Sequence, residues 1–388
     1  MNEAVLVDVV RTPGGRRDGQ LRDWHPVSLA AFVLKGLLER NDLDAALIDD
    51  VIMGCVMQVG DQSLNIARNA VLSAGWPETV PGTTVDRQCG SSQQAVHFAA
   101  QGVMAGVYDI VVASGVESMT RVPMFSSVGT NGRPWPDEQL ARYALSDFPN
   151  QGLGAEMLAD QYNLSRRELD EYSALSQQRA STATALGNFE NEVLPIPVEV
   201  DGKIELRSQD EGIRRDTSIE SLASLRPAFK EDGKITAGNS SQICDGASAA
   251  LVMSRECATR LKVTPRARFH SFAIAGTDPV SVLKGPIPVT EKLFKKSGLT
   301  MDDIDIVEIN EAFASVVLAW QKGTETPLSK INPNGGAIAL GHPLGSSGTR
   351  LLATLVNELE RTGGRYGLQV MCEGGGMANG TIIERLDR

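Results

Sequence analysis

Four loops carry the side chains able to do covalent chemistry. "VDRQCGSSQQA" (85–95) holds Cys89, between a strand-like "TTV" and a helix-like "SSQQAVHFAA". "GGAIALGHPLGSSG" (335–348) holds His342 between Gly341 and Pro343, and "MCEGGGMANG" (371–380) holds Cys372 ahead of three glycines. "VEINEAFASV" (307–316) puts Asn310 and Glu311 where a strand gives way to a helix. A thiol at a helix N-terminus sits in a favourable dipole field, which lowers its pKa and suits a nucleophile. A packed core cysteine is the other reading of Cys89. His342, its direction fixed by the proline, reads as a base or as a turn residue. The glycines after Cys372 can aim backbone N–H groups at a developing oxyanion. Asn310 reads either as a holder of a water or carbonyl or as a helix N-cap. Together these loops supply a nucleophile, a base, a second thiol as acid/base and fixed dipoles. That set suits making or breaking a carbon–carbon bond next to a thioester.

Other chemistries fit less well. The five cysteines (Cys55, Cys89, Cys244, Cys257, Cys372) are odd in number, irregularly spaced and without a C-x-x-C pair, against a disulfide framework or a zinc site. Four histidines with no H-x-x-x-H give metal ligation no support. With 37 Lys+Arg against 48 Asp+Glu the net charge is −11, which disfavours a nucleic-acid surface but leaves a locally bound anion open. No apolar run is long enough to cross a bilayer. "MNEAVLVDVVRTP" lacks the basic and long apolar regions of a secretory signal, and "ERLDR" lacks the peroxisomal tripeptide. A reduced, metal-free, cytoplasmic protein is the expectation.

The loops need a scaffold, and the chain echoes itself in a way that provides one. "DAALIDDVIMGCV" (44–56) and "TMDDIDIVEINEA" (300–312) each run an acidic helix end into a β-branched strand. About sixty residues later come "GVYDIVVASGVESM" (106–119) and "GRYGLQVMCEGGGM" (364–377), each a strand entering a glycine turn. Between these markers each half has a Gly- or Ser-rich loop followed by a helical pattern. The period is too long for a solenoid, so a duplicated α/β half is expected, its strands joined through helices. The polar stretch between the halves reads as an inserted lobe. It includes "SRRELDEYSALSQQRASTATAL", with Ser165 as N-cap and Glu168 three residues on. This places the first half at 1–117 and 251–265, the lobe at 118–250 and the second half at 266–388.

At this point the sequence resembles the thiolases (acetyl-CoA acyltransferases) over essentially its whole length. The matching segments are "RTPGGRRDG", "NIARNAVLSAGWP", "VDRQCGSSQQA", "ASGVESMTRVPM", "LRPAFKEDGKITAGNSSQICDGA", "INEAF", "GGAIALGHPLGSSG" and "CEGGGMANGT", in the family's order and spacing. The resemblance implies a five-layered α-β-α-β-α core of two five-stranded halves, with the loop lobe inserted after the first. It implies that Cys89 attacks a 3-oxoacyl-CoA and that His342 takes its proton. Cys372 would then protonate the departing enolate and deprotonate the incoming CoA. One oxyanion hole would combine His342 with a water held by Asn310, and the other the N–H groups of Cys89 and Gly374. Coenzyme A is implied as co-substrate, with no tightly bound cofactor. Its nucleotide end would meet Arg214 and Ser221 in the lobe, and its pantetheine arm Ser241. A homodimer or homotetramer is implied, with a β-oxidation multienzyme as a further partner.

Two departures from the family pattern bear on substrate. Acetoacetyl-CoA-type thiolases commonly carry a His-Met pair before "G-x-x-A-E", where this chain has Asn150 and Gln151. With Phe313 of "INEAF" these would line the acyl pocket, and similar text occurs in thiolases acting on bulky, sterol-derived side chains. The residues after Met377 also differ from the usual glycine and alanine. A degradative thiolase for medium, long or bulky chains is the leading expectation. The alternatives are a biosynthetic acetoacetyl-CoA thiolase, running the same residues in reverse, and a catalytically silent acyl-CoA-binding relative. A β-ketoacyl synthase shares the fold but generally has a histidine or asparagine where this chain has Cys372.

Overall fold

A computed structural model describes residues 2–146 and 150–387. Strand β1 (Ala4–Arg11) is buried along its whole length, as its near-continuous apolar run requires of a strand covered on both faces. With β2 (Gly15–Arg16), β3 (Asp50–Gly54), β4 (Thr83–Val85) and β5 (Ile110–Ser118) it belongs to the first half. Strands β6 (Ile196–Val200) and β7 (Lys203–Arg207) form a separate hairpin, and β8 (Cys244–Ser254) returns to the first half. The second half holds β9 (Ala267–Gly276), β10 (Ile306–Ile309), β11 (Tyr366–Glu373) and β12 (Met377–Arg385).

The spatial order is β4-β3-β5-β8-β1, then β9-β12-β11-β10. Counted outward from the β1/β9 seam the halves match strand for strand. β1–β8 and β8–β5 are antiparallel and β5–β3 parallel; β9–β12 and β12–β11 are antiparallel and β11–β10 parallel. The echoed segments are therefore equivalent strands: 44–56 and 300–312 hold β3 and β10, and 106–119 and 364–377 hold β5 and β11. One asymmetry departs from two equal five-stranded halves. The counterpart of β4 shrinks to a single parallel bridge, Val307 to Ile331, after which Asn332 turns the chain with a positive φ of 44°. The halves join through a short antiparallel pairing, Val5 with Arg268 and Leu6 with Ala267.

Helices complete the layers. Ser91–Met104 and Ser347–Thr362 lie between the halves and share one apolar core, in which Val96, Val103, Leu352 and Leu355 are buried. Pro26–Arg40 and Ile66–Ser73 cover the first half, and Pro286–Ser297 and Ala314–Thr324 the second. The two central helices touch closely near their starts. A Cβ on Gly348 would fall 2.1 Å from the Gln93 backbone nitrogen, so a larger residue would push them apart. Cys89 lies two residues before the first of these helices and His342 five before the second, so the duplication places both near the paired helix starts, with Leu344 packed against Cys89.

The lobe contains the Arg166–Ala185 helix, with Ser165 and Glu168 forming the reciprocal cap that their spacing signalled. Strand β8 begins at Cys244, so the last part of the stretch read as lobe, up to residue 250, runs in the sheet of the first half. Its small residues, "CDGASAALVMS", conceal a strand that is buried throughout. No helix among the described residues is long and apolar enough to cross a membrane.

Candidate active site

Cys89 occupies a tight turn. Gln88 before it has a positive φ of 49°, a conformation that non-glycine residues seldom adopt and that clusters at functional sites. The turn is tied from both sides. Gln88 N–H donates to Asp86 Oδ1 (2.7 Å), and the Ser91 hydroxyl donates to the Gln88 carbonyl (2.6 Å) while accepting from Arg87 N–H (2.9 Å). Gly90 is the N-cap of the following helix. The Cys89 thiol is buried, and its pKa is pushed up to about 12, chiefly by loss of solvent and next by the Glu373 carboxyl. Its own N–H, the Gln151 side chain and the Gly374 N–H pull the other way. This corrects the expectation of a helix-lowered pKa: desolvation outweighs the helix-end field. The resting nucleophile is a neutral thiol that needs a base.

Cys372 ends β11 and is fully buried beside Cys89, whose charge is among the causes that raise its pKa after burial itself. The chain then turns through Gly374, Gly375 (φ 82°) and Gly376 (φ 74°) into β12. The turn brings Gly374 N–H to the Cys89 sulfur, as the glycines suggested. Glu373 had not been singled out. Its carboxyl is buried, neither oxygen has a hydrogen-bond partner, and a Cβ on Gly90 would lie 2.0 Å from Oε1. Burial pushes its pKa from 4.5 up to about 8, opposed by Arg87 and aided by Asp86.

That shift has a consequence for stability. The folded chain holds the Glu373 proton where the unfolded chain has already lost it. The group's contribution is complete below the unfolded pKa of 4.5 and drains away as pH rises through about 8. The slope for one such proton is about 1.4 kcal/mol per pH unit. Glu373→Gln is therefore expected to gain stability relative to the parent between pH 5.5 and 8 in denaturant titrations. An unchanged difference at the two pH values would contradict it.

His342 is held at both ring nitrogens. The Ser347 hydroxyl, 2.6 Å from Nδ1, also lies 2.9 Å from the Pro343 carbonyl. With its single proton donated to that carbonyl, the hydroxyl accepts from Nδ1–H, which leaves Nε2 unprotonated, as an acceptor. Nε2 faces the Asn310 Nδ2 at 3.3 Å. Burial, and next the Arg350 charge, lower the His342 pKa to about 3, so the ring is neutral and able to take a proton. Asn310 is not the helix N-cap: the helix starts at Ala314, and Phe313 holds the cap position. Its Oδ1 is buried and has no partner within the chain, which suits a water-holding amide. The loop after His342 is anchored by Glu117, whose buried carboxylate accepts from the N–H groups of Gly345 (2.9 Å), Val56 (2.9 Å) and Met57 (3.1 Å). Leu344 packs against Cys89, Leu351 and Met371, joining this loop to the thiol. Ser347 and Glu117 carried no sequence signal as site residues, since a serine or glutamate in such text looks like any polar residue.

The remaining expected residues divide. Arg214 and Ser221 line one cavity of about 330 Å³ with Gln177, Thr217, Leu222 and Ile338. Ser241 does not line it. It stands on the segment that runs from Gly238 of that cavity's wall toward His342, its N–H donating to the Ala312 carbonyl (2.9 Å), while the next residue, Gln242, accepts from His342 N–H (3.0 Å). Asn150 caps its helix through Leu153 N–H (3.0 Å), and Gln151 is the one of the pair that reaches Cys89 and Gly374. Phe313 is buried, its ring edge-on to Phe229 at 6.0 Å between centroids, and Phe229 in turn packs on Gly152. Phe229 was missed because one phenylalanine in a polar stretch has no periodic partner. No group of His, Cys, Asp and Glu able to hold a metal is found among the described residues.

The chain that brings together these two buried thiols and a neutral imidazole paired with an amide is similar to known proteins. The thiolase N-terminal domain family matches residues 4–256 and the thiolase C-terminal domain family residues 263–385. The chain belongs to the thiolase family and is an acyltransferase. It is 49% identical over its full length to the steroid 3-ketoacyl-CoA thiolase FadA6 of Mycobacterium tuberculosis, covering 95% of that protein. It is 46% identical to a 3-ketoacyl-CoA thiolase of Photobacterium profundum, with complete coverage of both chains. The crystal structure of the Bacillus anthracis acetyl-CoA acetyltransferase superposes with a TM-score of 0.91 at 37% identity, over 100% of this chain and 99% of that one. Within the family the chain is a degradative thiolase, and the five-layered α/β fold is as expected.

Proposed function

We propose that the chain cleaves a 3-oxoacyl-CoA with CoA, through an acyl thioester on Cys89, releasing acetyl-CoA (or propionyl-CoA) and a shortened acyl-CoA. The observation that carries this reading is the Cys89 thiol buried beside the Cys372 thiol, with its own N–H and that of Gly374 near enough to favour its thiolate. As the sulfur attacks the 3-keto carbon, its proton passes to His342 Nε2. The oxyanion that forms lies within reach of the two N–H groups that already face the sulfur, donors worth about 3 kcal/mol each where measured. The C2–C3 bond breaks and its electron pair leaves as the enolate of acetyl-CoA. Asn310 and protonated His342 face the enolate oxygen, and Cys372 gives C2 its proton. The Cys372 thiolate then takes the proton of the second CoA, whose sulfur attacks the acyl-Cys89 carbonyl, and Cys89 leaves as the thiolate and regains its proton from His342.

Arg214 and Ser221 would meet the nucleotide end of CoA in the 330 Å³ cavity, and Ser241 the pantetheine arm on the way to Cys89. The lobe is thus the CoA-binding unit of the chain. Gln151 and Phe313 would flank the acyl group, while Asn150 places Gln151 by capping its helix. A bulky acyl group is favoured by Gln151 in place of a methionine and by the steroid specificity named for the 49% identical relative. Its route would follow Leu344, which touches the Cys89 cluster and also the Val56, Met57 and Val122 cluster. Met57 accepts from the Ser127 hydroxyl (3.6 Å), and the neighbouring Val128 lines a cleft of about 450 Å³ with Phe125, Pro134 and Trp135 in its walls. Two catalytic thiols require a reducing compartment, for which the cytoplasm is the simplest choice, and a symmetric homodimer or homotetramer is the default assembly.

Thiolysis of acetoacetyl-CoA, a long straight-chain 3-oxoacyl-CoA and a steroid-side-chain 3-oxoacyl-CoA tests the substrate. The expected order of kcat/KM places the bulky substrate above acetoacetyl-CoA by at least about tenfold, the scale set by a methylene or two of pocket fit. A preference for acetoacetyl-CoA would overturn the bulky-acyl reading and leave the thiolase chemistry standing.

A further inference from the structure

Glu311 follows Asn310 directly, is fully buried, and has no part in the chemistry above. Its carboxylate accepts four hydrogen bonds, all from neutral donors. Oε1 receives the Tyr172 hydroxyl (2.7 Å) and Asn332 Nδ2 (3.0 Å). Oε2 receives the Ser176 hydroxyl (2.7 Å) and the Ile338 N–H (3.0 Å). Gly336 leaves room for it, since a Cβ there would fall 2.4 Å from the Glu311 carboxyl carbon.

The donors come from three separate places. Tyr172 and Ser176 are on the lobe helix Arg166–Ala185. The next residue of that helix, Gln177, accepts from Arg214 N–H (2.8 Å) and donates to the Ile338 carbonyl (3.1 Å). Gln177, Arg214 and Ile338 all line the 330 Å³ cavity. Ile338 lies in the short Ala337–Leu340 helix that leads through Gly341 into His342. Asn332 clamps the end of β10, bonding both the N–H (2.8 Å) and the carbonyl (2.9 Å) of Ile309, the residue before Asn310. One carboxylate thus fastens the cavity wall, the approach to His342 and the strand end bearing Asn310.

We infer that Glu311 is the positioning residue that sets the Asn310–His342 pair against the wall of the CoA cavity. It touches no reacting atom and acts through the two residues it locates. A glutamine here must turn an N–H₂ toward donors, which releases at least one of the three elements. The inference rests on the thiolase reading of the site, and its signature differs from a general loss of structure. Carbon–carbon cleavage uses the Asn310–His342 pair at the enolate oxygen. Exchange of the acetyl group between acetyl-CoA and isotopically labelled CoA forms and breaks only the Cys89 thioester. It therefore relies on the Cys89 and Gly374 N–H groups, with His342 serving only as base.

The test measures both reactions in the parent, in Glu311→Gln and in Tyr172→Phe, which removes one of the four donors and serves if Glu311→Gln does not fold. Thiolysis of acetoacetyl-CoA is expected to lose kcat by about 10²-fold in Glu311→Gln, the cost of one misplaced oxyanion donor. The ratio of thiolysis to exchange should fall at least about tenfold, and in the same direction but less in Tyr172→Phe. Equal loss of both reactions, or loss of neither, would overturn the positioning role. A parent that exchanges acetyl groups but cleaves no 3-oxoacyl-CoA would instead overturn the thiolase reading.

Discussion

Cys89→Ala is expected to abolish thiolysis, by at least about 10⁴-fold in kcat, because removing the nucleophile removes the whole covalent route. The residual rate should not depend on the pKa of any other thiol. Cys55, Cys244 and Cys257 are all buried, and burial is the first cause raising each of their pKa values. Cys372, though beside Cys89, stands where it can protonate the leaving enolate, and its own pKa is raised first by burial. The substitution removes a small side chain from a pocket shared with Leu344, Leu351 and Met371, so the fold should persist and CoA should still bind. Thiolysis by steady-state absorbance, with CoA binding by calorimetry on the same sample, checks both halves of this expectation. Retained turnover would place the nucleophile elsewhere.

His342→Ala should have the second-largest effect, about 10³-fold or more in kcat. One ring supplies both the base for the Cys89 thiol and a donor to the enolate oxygen, effects of about 10²–10⁴ and 10²–10³ when measured singly in other enzymes. The two do not multiply, because they belong to one side chain acting in consecutive steps. The Cys89 pKa of about 12 makes the base indispensable: at neutral pH almost no thiolate is present without it. The lowered His342 pKa of about 3 carries its own consequence. The ring stays neutral across the working range, so kcat/KM should show no acid limb near 6.5 attributable to this histidine. A pH–rate profile of the parent checks this. An inflection near 6.5 that vanishes in His342→Gln would contradict the burial argument.

Much of this was legible in the sequence because the duplication writes the scaffold twice. β3 and β10, and β5 and β11, repeat the same residue pattern, and the glycines between them mark where loops and helices must close together. Cys89, His342 and Cys372 were visible for that reason, each standing near the end of a strand or the start of a helix of a repeated half, whereas Gly374 was picked out of its glycine turn only through the resemblance to the thiolases. Ionisation states were less legible. Proximity to a helix end suggested a lowered Cys89 pKa, but full burial beside Glu373 reverses the sign, and burial is a property of the whole fold. Asn310 looked like an N-cap because the text gives no sign that the helix starts only after Phe313. Glu117 and Glu311 were hidden because their partners lie far away in the chain, as Tyr172 and Ser176 do from Glu311, and Ser347, bonded to its near neighbours His342 and Pro343, because a serine in such a loop looks like any polar residue. The lobe boundary was blurred by β8, whose small residues are those of a tightly packed strand between two others.

The most direct measurement of the central claim is to quench the enzyme with a 3-oxoacyl-CoA in the absence of free CoA and map the adduct by peptide mass spectrometry. The account predicts an acyl group on the peptide carrying Cys89, of the mass of the substrate shortened by its acetyl unit, discharged on adding CoA and absent in Cys89→Ala. An acyl group found instead on Cys372, or substrate cleaved with no acyl-enzyme on Cys89, would contradict it.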